Sequence, residues 1–222
     1  MKPHFFYYCL ILAFWACSQT TAPNLRELAC YARFDASTQT VKAEATIKEG
    51  PSAAALVPIS PEKGFRFQES EMRLLPHRGL TYTAQKNMAY QPELSFGWEE
   101  PVGSMNHFTM ALPKLDSFYF DEPTLSSTQP ATLRWTGGAL QRGETLVLLW
   151  ENRANGKTAP MEVYDTEGLD FLKIPAAKMK DLEPGNWTLY LVRRRLTKGK
   201  VGTVEASGTG EYYTKPREWT VR

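Results

Sequence analysis

Apolar and polar residues alternate along most of the chain with the two-residue period of a β-strand. The segment 40–48 shows the pattern most plainly, and its apolar positions are Val41, Ala43, Ala45 and Ile47. Together with the run from Leu28 to Ala36, it predicts a hairpin that turns at residues 37–39 and has one buried and one hydrated face. Comparable runs recur about every 8–15 residues, a spacing typical of β-sandwiches.

The strand pattern is interrupted between residues 113 and 127, where a short aromatic run passes into the polar sequence Ser-Ser-Thr-Gln-Pro. Beyond it, residues 144–150 are almost continuously apolar, which favours a central strand. Residues 175–182 begin with Pro175 and form the one predicted helical turn. We therefore predict two tandem β-sandwich domains, at residues 25–120 and 121–222.

Charge excludes one broad class of partner. The 222 residues contain 26 Lys and Arg and 24 Asp and Glu, which leaves a formal charge of +2. Proteins that bind nucleic acid carry a strong excess of positive charge, so nucleic acid is not expected as a partner. Any ligand must be recognised by a local feature of the surface.

The amino terminus has the composition of an export signal. Residues 5–16 are uncharged and follow Lys2, and a helix of this length covers about 18 Å, which is short of the ~30 Å needed to cross a bilayer. The pattern favours a secretory signal. The sequence Phe14-Trp15-Ala16-Cys17 resembles the lipobox of bacterial lipoproteins, in the looser form found in Bacteroidota.

The lipoprotein resemblance implies that residues 1–16 are removed, that Cys17 carries a diacylglycerol, and that residues 17–24 form a tether. Two or more acyl chains would anchor the protein stably without spanning the membrane. The alternative is an ordinary signal peptide in which Cys17 is incidental. Ser18 and the lack of acidic residues at 19–21 imply the outer membrane and its periplasmic face, with surface exposure left open.

Cysteine use fits an exported chain without disulfides. Cys9 would leave with the signal and Cys17 would be acylated, so only Cys30 remains in the folded part. A single thiol cannot form an intrachain disulfide. We predict that Cys30 is a small buried hydrophobic residue.

One turn in the second half carries a fold resemblance. The sequence Leu182-Glu183-Pro184-Gly185-Asn186-Trp187 resembles the E–F corner of immunoglobulin-like and fibronectin type III domains, with Trp187 in place of the usual tyrosine. The resemblance implies an immunoglobulin-like sandwich for residues 121–222, but it implies no function. The predicted fold is therefore all-β, with two tandem immunoglobulin-like β-sandwich domains after a lipoprotein signal peptide and a short tether.

The sequence offers little for catalysis or for binding of metals and cofactors. Beyond the signal, the only histidines are His77 and His107, and the chain has no G-x-S-x-G, H-E-x-x-H or C-x-x-C motif. Asp165, Glu167 and Asp170 miss the spacing of a calcium loop and predict a hydrated turn. We expect no catalytic residue, metal or cofactor. Carboxylates are numerous, however, so a glycan hydrolase with two acids about 5–10 Å apart stays open.

A basic segment is the strongest candidate contact site. Its cations are Arg193, Arg194, Arg195, Lys198 and Lys200. Alternation from Leu189 and Leu191 would turn Arg193 and Arg195 inward, so we expect the strand to bulge or leave the core there, beside a long loop from Thr197 to Glu211. Such a loop would contact an anionic envelope component or a protein partner. The alternative is an edge strand that charge protects from aggregation.

The consecutive residues Tyr212 and Tyr213 are a second candidate contact, because one of the two must face outward in a strand. Together these features predict a lipid-anchored envelope protein that acts as a noncatalytic binding or assembly module. The alternative is an envelope glycan hydrolase or an accessory carbohydrate-binding protein.

Overall fold

The protein is described by a computed structural model that covers residues 24–100, 103–163 and 167–222. In chain order the strands are β1 (Leu25–Asp35), β2 (Thr40–Gly50), β3 (Val57–Ile59), β4 (Phe65–Phe67), β5 (Ser70–Glu71), β6 (Arg73–Leu75), β7 (Thr81–Asn87), β8 (Glu93–Glu99), β9 (Met105–Ala111), β10 (Ser117–Phe120), β11 (Ala131–Thr136), β12 (Glu144–Asn152), β13 (Thr158–Val163), β14 (Phe171–Ile174), β15 (Gly185–Val201), β16 (Val204–Tyr213) and β17 (Arg217–Val221). The helical elements are α1 (Ala176–Met179) and the 3-10 turns Ala53–Ala55 and Pro76–Arg78. The predicted all-β fold and the helical turn after Pro175 are confirmed.

The described residues form three sheets. The largest has ten strands, eight of which follow the order β13-β12-β15-β16-β1-β2-β7-β6, while β17 pairs with β15 and β3 pairs with β2. A four-stranded sheet has the order β5-β4-β8-β9, and a three-stranded sheet has the order β10-β11-β14. Both smaller sheets pack on the large one. Phe65 of β4 meets Tyr82 of β7 edge to face at 5.1 Å, and Phe120 of β10 stacks on Trp150 of β12 at 5.8 Å.

The predicted hairpin at the start of the fold is confirmed. β1 and β2 pair from Leu25 opposite Gly50 to Asp35 opposite Thr40. At the turn, the backbone N–H groups of Ser37 and Thr38 donate to Oδ1 of Asp35, at 2.8 and 3.3 Å. This Asp side chain therefore fixes the turn and the register of both strands. The apolar face that the alternation predicts is buried in the core.

Strands from both predicted domains form the ten-stranded sheet. β1 runs parallel to β16, from Arg26 opposite Val204 to Asp35 opposite Tyr213. Main-chain pairing thus joins sequence on either side of the predicted boundary after residue 120, and the buried residues of the described ranges form one core. The parallel pairing was not predicted, because it joins segments that are far apart in sequence.

The prediction of a long loop from Thr197 to Glu211 is wrong. The segment is a hairpin in which β15 and β16 pair up to Val201 opposite Val204, and Gly202 supplies the positive φ of 59° that the two-residue turn needs. The hairpin lies against β9. A Cβ on Gly208 would sit 2.8 Å from Cε1 of Phe108, so the glycine permits this close approach. The glycines of β16 are packing positions and not flexible loop residues.

The corner before β15 is closed by a tryptophan. Trp187 is fully buried, and its Nε1 donates to the carbonyl oxygen of Glu183 at 2.8 Å. The indole N–H thus makes a hydrogen bond back to the preceding turn, the kind of bond that the tyrosine hydroxyl makes in the resembling domains. Gly185 has a φ of 147° at this corner, a conformation that favours glycine.

Cys30 is buried in the core as a free thiol, as predicted. Burial raises the pKa of this thiol far above its ordinary value, which keeps it protonated. The predicted signal peptide, Cys17 and nearly all of the tether lie outside the described residues. Within the ranges that the structure covers, no helix has both the length and the apolar character required to cross a bilayer.

Candidate ligand-binding face

Arg193 of the basic segment lies inside the protein. Its side chain is 4% exposed, and its Nε donates to Oε2 of Glu144 at 2.9 Å. Its Nη1 donates to the carbonyl oxygens of Lys114 and Gly138 at 3.0 and 3.2 Å, and its Nη2 to that of Ala139 at 2.7 Å. The strand does not leave the core, because a carboxylate and loop carbonyls satisfy the buried guanidinium. The prediction that Arg193 is a surface contact is therefore wrong.

Most of the other cations in this segment are also paired. Nε of Arg194 lies 2.7 Å from Oε1 of Glu211, Nη1 of Arg195 donates to the side chain of Gln141 at 3.0 Å, and Nζ of Lys200 lies 3.2 Å from a carboxylate oxygen of Glu205. Lys198 is exposed and has no charged or hydrogen-bonding partner among the described residues. The segment is therefore not a free basic patch. Its members face different sides of the sheet and are largely neutralised.

The consecutive tyrosines face opposite sides of β16. Tyr212 points into the core, where it stacks on Phe34 at 5.4 Å and meets Tyr90 edge to face at 5.6 Å. It is 5% exposed and is wrong as a partner contact. Tyr213 is half-buried on the opposite side of the sheet, and the guanidinium carbon of Arg33 lies 3.7 Å from its ring centroid. Tyr213 therefore stays a candidate contact.

We use the term outer face for the side of the ten-stranded sheet that points away from the core. Strand register places side chains of neighbouring strands beside one another on it. One such row runs from Arg194 through Glu211 and Arg33 to Lys42. The row below it includes Tyr31, which pairs with Glu44 on β2. Rows of charged side chains and a tyrosine thus cross strands from both halves of the chain.

A buried carboxylate organises the middle of the outer face. Glu211 is 5% exposed, and it accepts hydrogen bonds from the hydroxyl of Tyr31 and from Nε of Arg194, both at 2.7 Å. Burial and then this hydrogen bond from the hydroxyl to Glu211 raise the pKa of Tyr31 strongly. The three side chains hold each other in place, since each buried polar group has a partner. They form a hydrogen-bonded centre between two clefts of the outer face.

A cleft of about 430 Å³ lies at one end of the outer face. We call it the tyrosine cleft, and the residues that line it include Arg33, Leu149, Glu151, Pro160, Tyr190 and Tyr213. Its walls come from β1, β12, β13, β15 and the end of β16. Arg33 also lines a smaller cleft of about 230 Å³ with Asp35 and Lys42. Arg33 makes no ion pair and no side-chain hydrogen bond within the described part of the chain.

A second large cleft, of about 620 Å³, lies at the opposite end of the outer face. We call it the lysine cleft, because Lys48, Lys198 and Lys200 line it. Its floor is a row of small side chains in register across three strands: Ser207, Ala29 and Thr46. Lys48, Lys198 and the acidic Glu27 are exposed and have no side-chain partner in the described ranges.

The groups that catalysis or metal binding would need do not gather on this face. His77 lies in a 3-10 turn and His107 on β9, and neither lines the three outer-face clefts. Within the described residues, no group of three or more His, Cys, Asp and Glu side chains is placed to hold a metal ion. Of the predicted hydrated turn, Asp165 lies outside the described residues, and Glu167 and Asp170 are exposed.

Sequence reasoning missed Arg33, Lys48 and Tyr190. All three occupy hydrated positions of an alternating strand, as the intervening positions of β1, β2 and β15 are buried. The alternation was therefore the signal that could have found them. It assigns them to one side of a strand, but only the order of the strands shows that they share a face.

No protein-family model matches the chain, and no curated protein matches it in sequence. Among solved structures, the chain is similar to murine CEACAM1b at 10% identity, with a TM-score of 0.27 and coverage of 88% of this chain and 100% of that chain. It is also similar to dimeric latent PorU from Porphyromonas gingivalis at 10% identity, with a TM-score of 0.28 and coverage of 93% of this chain and 21% of that chain.

Proposed function

We propose that the protein is a noncatalytic binding module of the bacterial outer envelope, anchored by acyl chains on Cys17, and that it binds its partner through the outer face. The observation that carries the proposal is the set of clefts on this face, which hold four cations without an ion pair or a side-chain hydrogen bond among the described residues: Arg33, Lys42, Lys48 and Lys198. Unpaired charges in a concave surface favour binding of an external polar ligand.

The position of the outer face relative to the tether supports this function. The eight residues 17–24 span at most about 28 Å when extended, and β1 starts directly after them at the lysine cleft. From Glu27 to Asp35, β1 rises by about 26 Å. The lysine cleft would thus lie near the membrane and the tyrosine cleft away from it, so that the outer face would extend from the bilayer surface into the envelope.

The anchor is tested by the Cys17→Ser variant of the full chain. We expect the variant to lose the acyl mass and to move from the particulate to the soluble fraction of the cell envelope. A variant that stays particulate, with unchanged mass and processing, would overturn the anchor.

The binding surface is tested by placing a photo-crosslinking amino acid at Ala29, which is exposed in the lysine cleft. The matched control position is Thr109, which is exposed on β9 in the four-stranded sheet. In intact envelopes, we expect Ala29 to yield adducts of defined mass and Thr109 to yield none. Equal adducts from both positions, or adducts from Thr109 alone, would overturn the outer face as the contact surface.

A glycan hydrolase is the second candidate, because two carboxylates, Asp35 and Glu151, line the tyrosine cleft. Asp35 already accepts hydrogen bonds from the backbone of the β1–β2 turn, while Glu151 is exposed and unpaired within the described ranges. Release of reducing ends from envelope glycans, abolished by Glu151→Gln, would favour the hydrolase. Glycan binding without release favours the binding module.

A further inference from the structure

We propose that the tyrosine cleft binds an acidic sugar, with its ring against Tyr190 and Leu149 and its carboxylate on Arg33. The inference rests on the proposed function of the outer face and names the ligand class for one of its clefts. Three features of the cleft carry it: an unpaired guanidinium, an apolar strip, and a neighbouring sheet edge that opposes peptide binding.

Arg33 is oriented for an external carboxylate. Its guanidinium stacks over the ring of Tyr213 at 3.7 Å, which restricts its movement. The nearest acid in the same row, Glu211, already accepts hydrogen bonds from Tyr31 and Arg194. The N–H donors of the Arg33 guanidinium therefore make no hydrogen bond to a side chain among the described residues. Its planar fork geometry matches a carboxylate through two parallel hydrogen bonds.

An apolar strip lies beside this cation. Register places Leu149 of β12 between Tyr190 of β15 and Pro160 of β13. All three line the cleft, and Tyr190 is half-buried with no hydrogen-bonding partner for its hydroxyl in the described part of the chain. The C–H face of a sugar ring is apolar and packs on such a surface, while its hydroxyls hydrogen-bond polar groups at the rim. Glu151 and Thr158 are in place to accept these bonds.

The neighbouring sheet edge disfavours an extended peptide as the ligand. The backbone N–H of Asn152 donates to the carbonyl oxygen of Lys157, so the main chain of Ala159, Met161 and Val163 faces β12 along the ladder. The alternate positions, Pro160 among them, face the free edge of β13. Proline has no N–H to donate there, and this protects the edge from strand addition.

The test measures binding of oligosaccharides that carry galacturonate, glucuronate or sialate to the purified full chain in detergent. Their methyl esters serve as ligands of the same shape without charge. We expect saturable binding of at least one acid, and at least tenfold weaker binding of its ester. Arg33→Gln should weaken binding of the acid at least tenfold and leave binding of the ester unchanged, because only the carboxylate contacts Arg33.

Tyr190→Ala and Tyr190→Leu should each weaken binding of both ligands, because both variants remove the aromatic ring. Tyr190→Leu keeps an apolar side chain in place, so it tests the ring itself. The control is Arg66→Gln, which removes an exposed arginine from β4 in the four-stranded sheet and should leave both affinities unchanged. Thermal unfolding midpoints report whether each variant is folded.

The inference is overturned if no acidic sugar binds, or if Arg33→Gln binds the acid as tightly as the unchanged protein does. If either result is obtained while crosslinks still form at Ala29, only the acidic-sugar inference is overturned and the proposed function is retained. Loss of both the crosslinks and the sugar binding overturns the proposed function as well.

Discussion

Arg193 and Glu144 form an ion pair inside the protein, with 2.9 Å between Nε and Oε2 and side-chain exposures of 4% and 2%. The pair sits on neighbouring strands, β15 and β12, and the guanidinium also bonds to the carbonyl oxygens of Lys114 and Ala139. One side chain thus ties the large sheet to the linker that precedes β10 and to the loop that precedes β12.

Removing this cation should destabilise the fold. We expect Arg193→Ala to lower the free energy of unfolding by about 3–5 kcal/mol, because it leaves the Glu144 carboxylate buried without its partner. Urea unfolding measures the change. Arg153→Ala is the control, since its ion pair with Glu218 is exposed on both sides, and we expect it to cost about 0–1 kcal/mol. Equal losses in the two variants would contradict the structural role of Arg193.

Glu100 should make the stability of the fold depend on pH in the acidic range. Burial raises the pKa of this carboxyl, but hydrogen bonds from Arg26, Trp98 and Asn106 outweigh burial and lower the pKa below its ordinary value of 4.5. The pKa of Glu100 is lower in the folded state than in the unfolded state. The carboxylate therefore contributes its full share to the free energy of unfolding above the unfolded-state pKa, and this share is lost as pH falls through the folded-state pKa. We expect the stability difference between the unchanged protein and Glu100→Gln to shrink below pH 4.5. Urea midpoints between neutral and acidic pH measure it, and a constant difference would contradict the prediction.

The contact between β16 and β9 depends on Gly208, which has no side chain. Atoms of Phe108 and Met110 lie 2.8 and 3.0 Å from where the Cβ of residue 208 would stand. We expect Gly208→Val to cost about 1–3 kcal/mol through overpacking. The neighbouring outward-facing change Thr209→Val should cost little. If chemical denaturation shows the same midpoint for both variants, the packing of this hairpin on β9 is wrong.

Cys30 should be unreactive in the native protein. Its thiol is buried, and burial raises its pKa, so the reactive thiolate is not formed at neutral pH. In a full chain with Cys9 and Cys17 changed to Ser, we expect a thiol reagent to label Cys30 in denaturant and not in buffer. Rapid labelling of the native chain would show that β1 does not pack as described.

The sequence predicted features that depend on neighbours along the chain. The β1–β2 hairpin and the helical turn at α1 follow from local periodicity and turn residues. Alternation also turns Arg193 inward, and from this we expected β15 to bulge or leave the core at that point. That expectation was wrong, because the partner of Arg193, Glu144, begins a strand whose pattern is almost continuously apolar. The partner of a buried charge lies on another strand, and local patterns do not identify it.

The outer face could not be assembled from the sequence for a related reason. Arg33 is one of two arginines on the alternating strand β1, and Tyr190 lies between two core leucines. Their common cleft depends on the parallel pairing of β1 with β16, which joins segments separated by most of the chain. Long-range pairings of this kind are specified by the packing of the whole sheet and not by any one segment.

The pairing of β1 with β16 also sets the order in which the polypeptide can mature. Because β16 ends at Tyr213 and follows β1 by most of the described residues, the central sheet cannot close until the intervening sequence is available. Until then β1 presents an unsatisfied edge, a state that invites wrong pairing and recruits chaperones. A chain of this design holds its largest sheet open until β16 reaches β1.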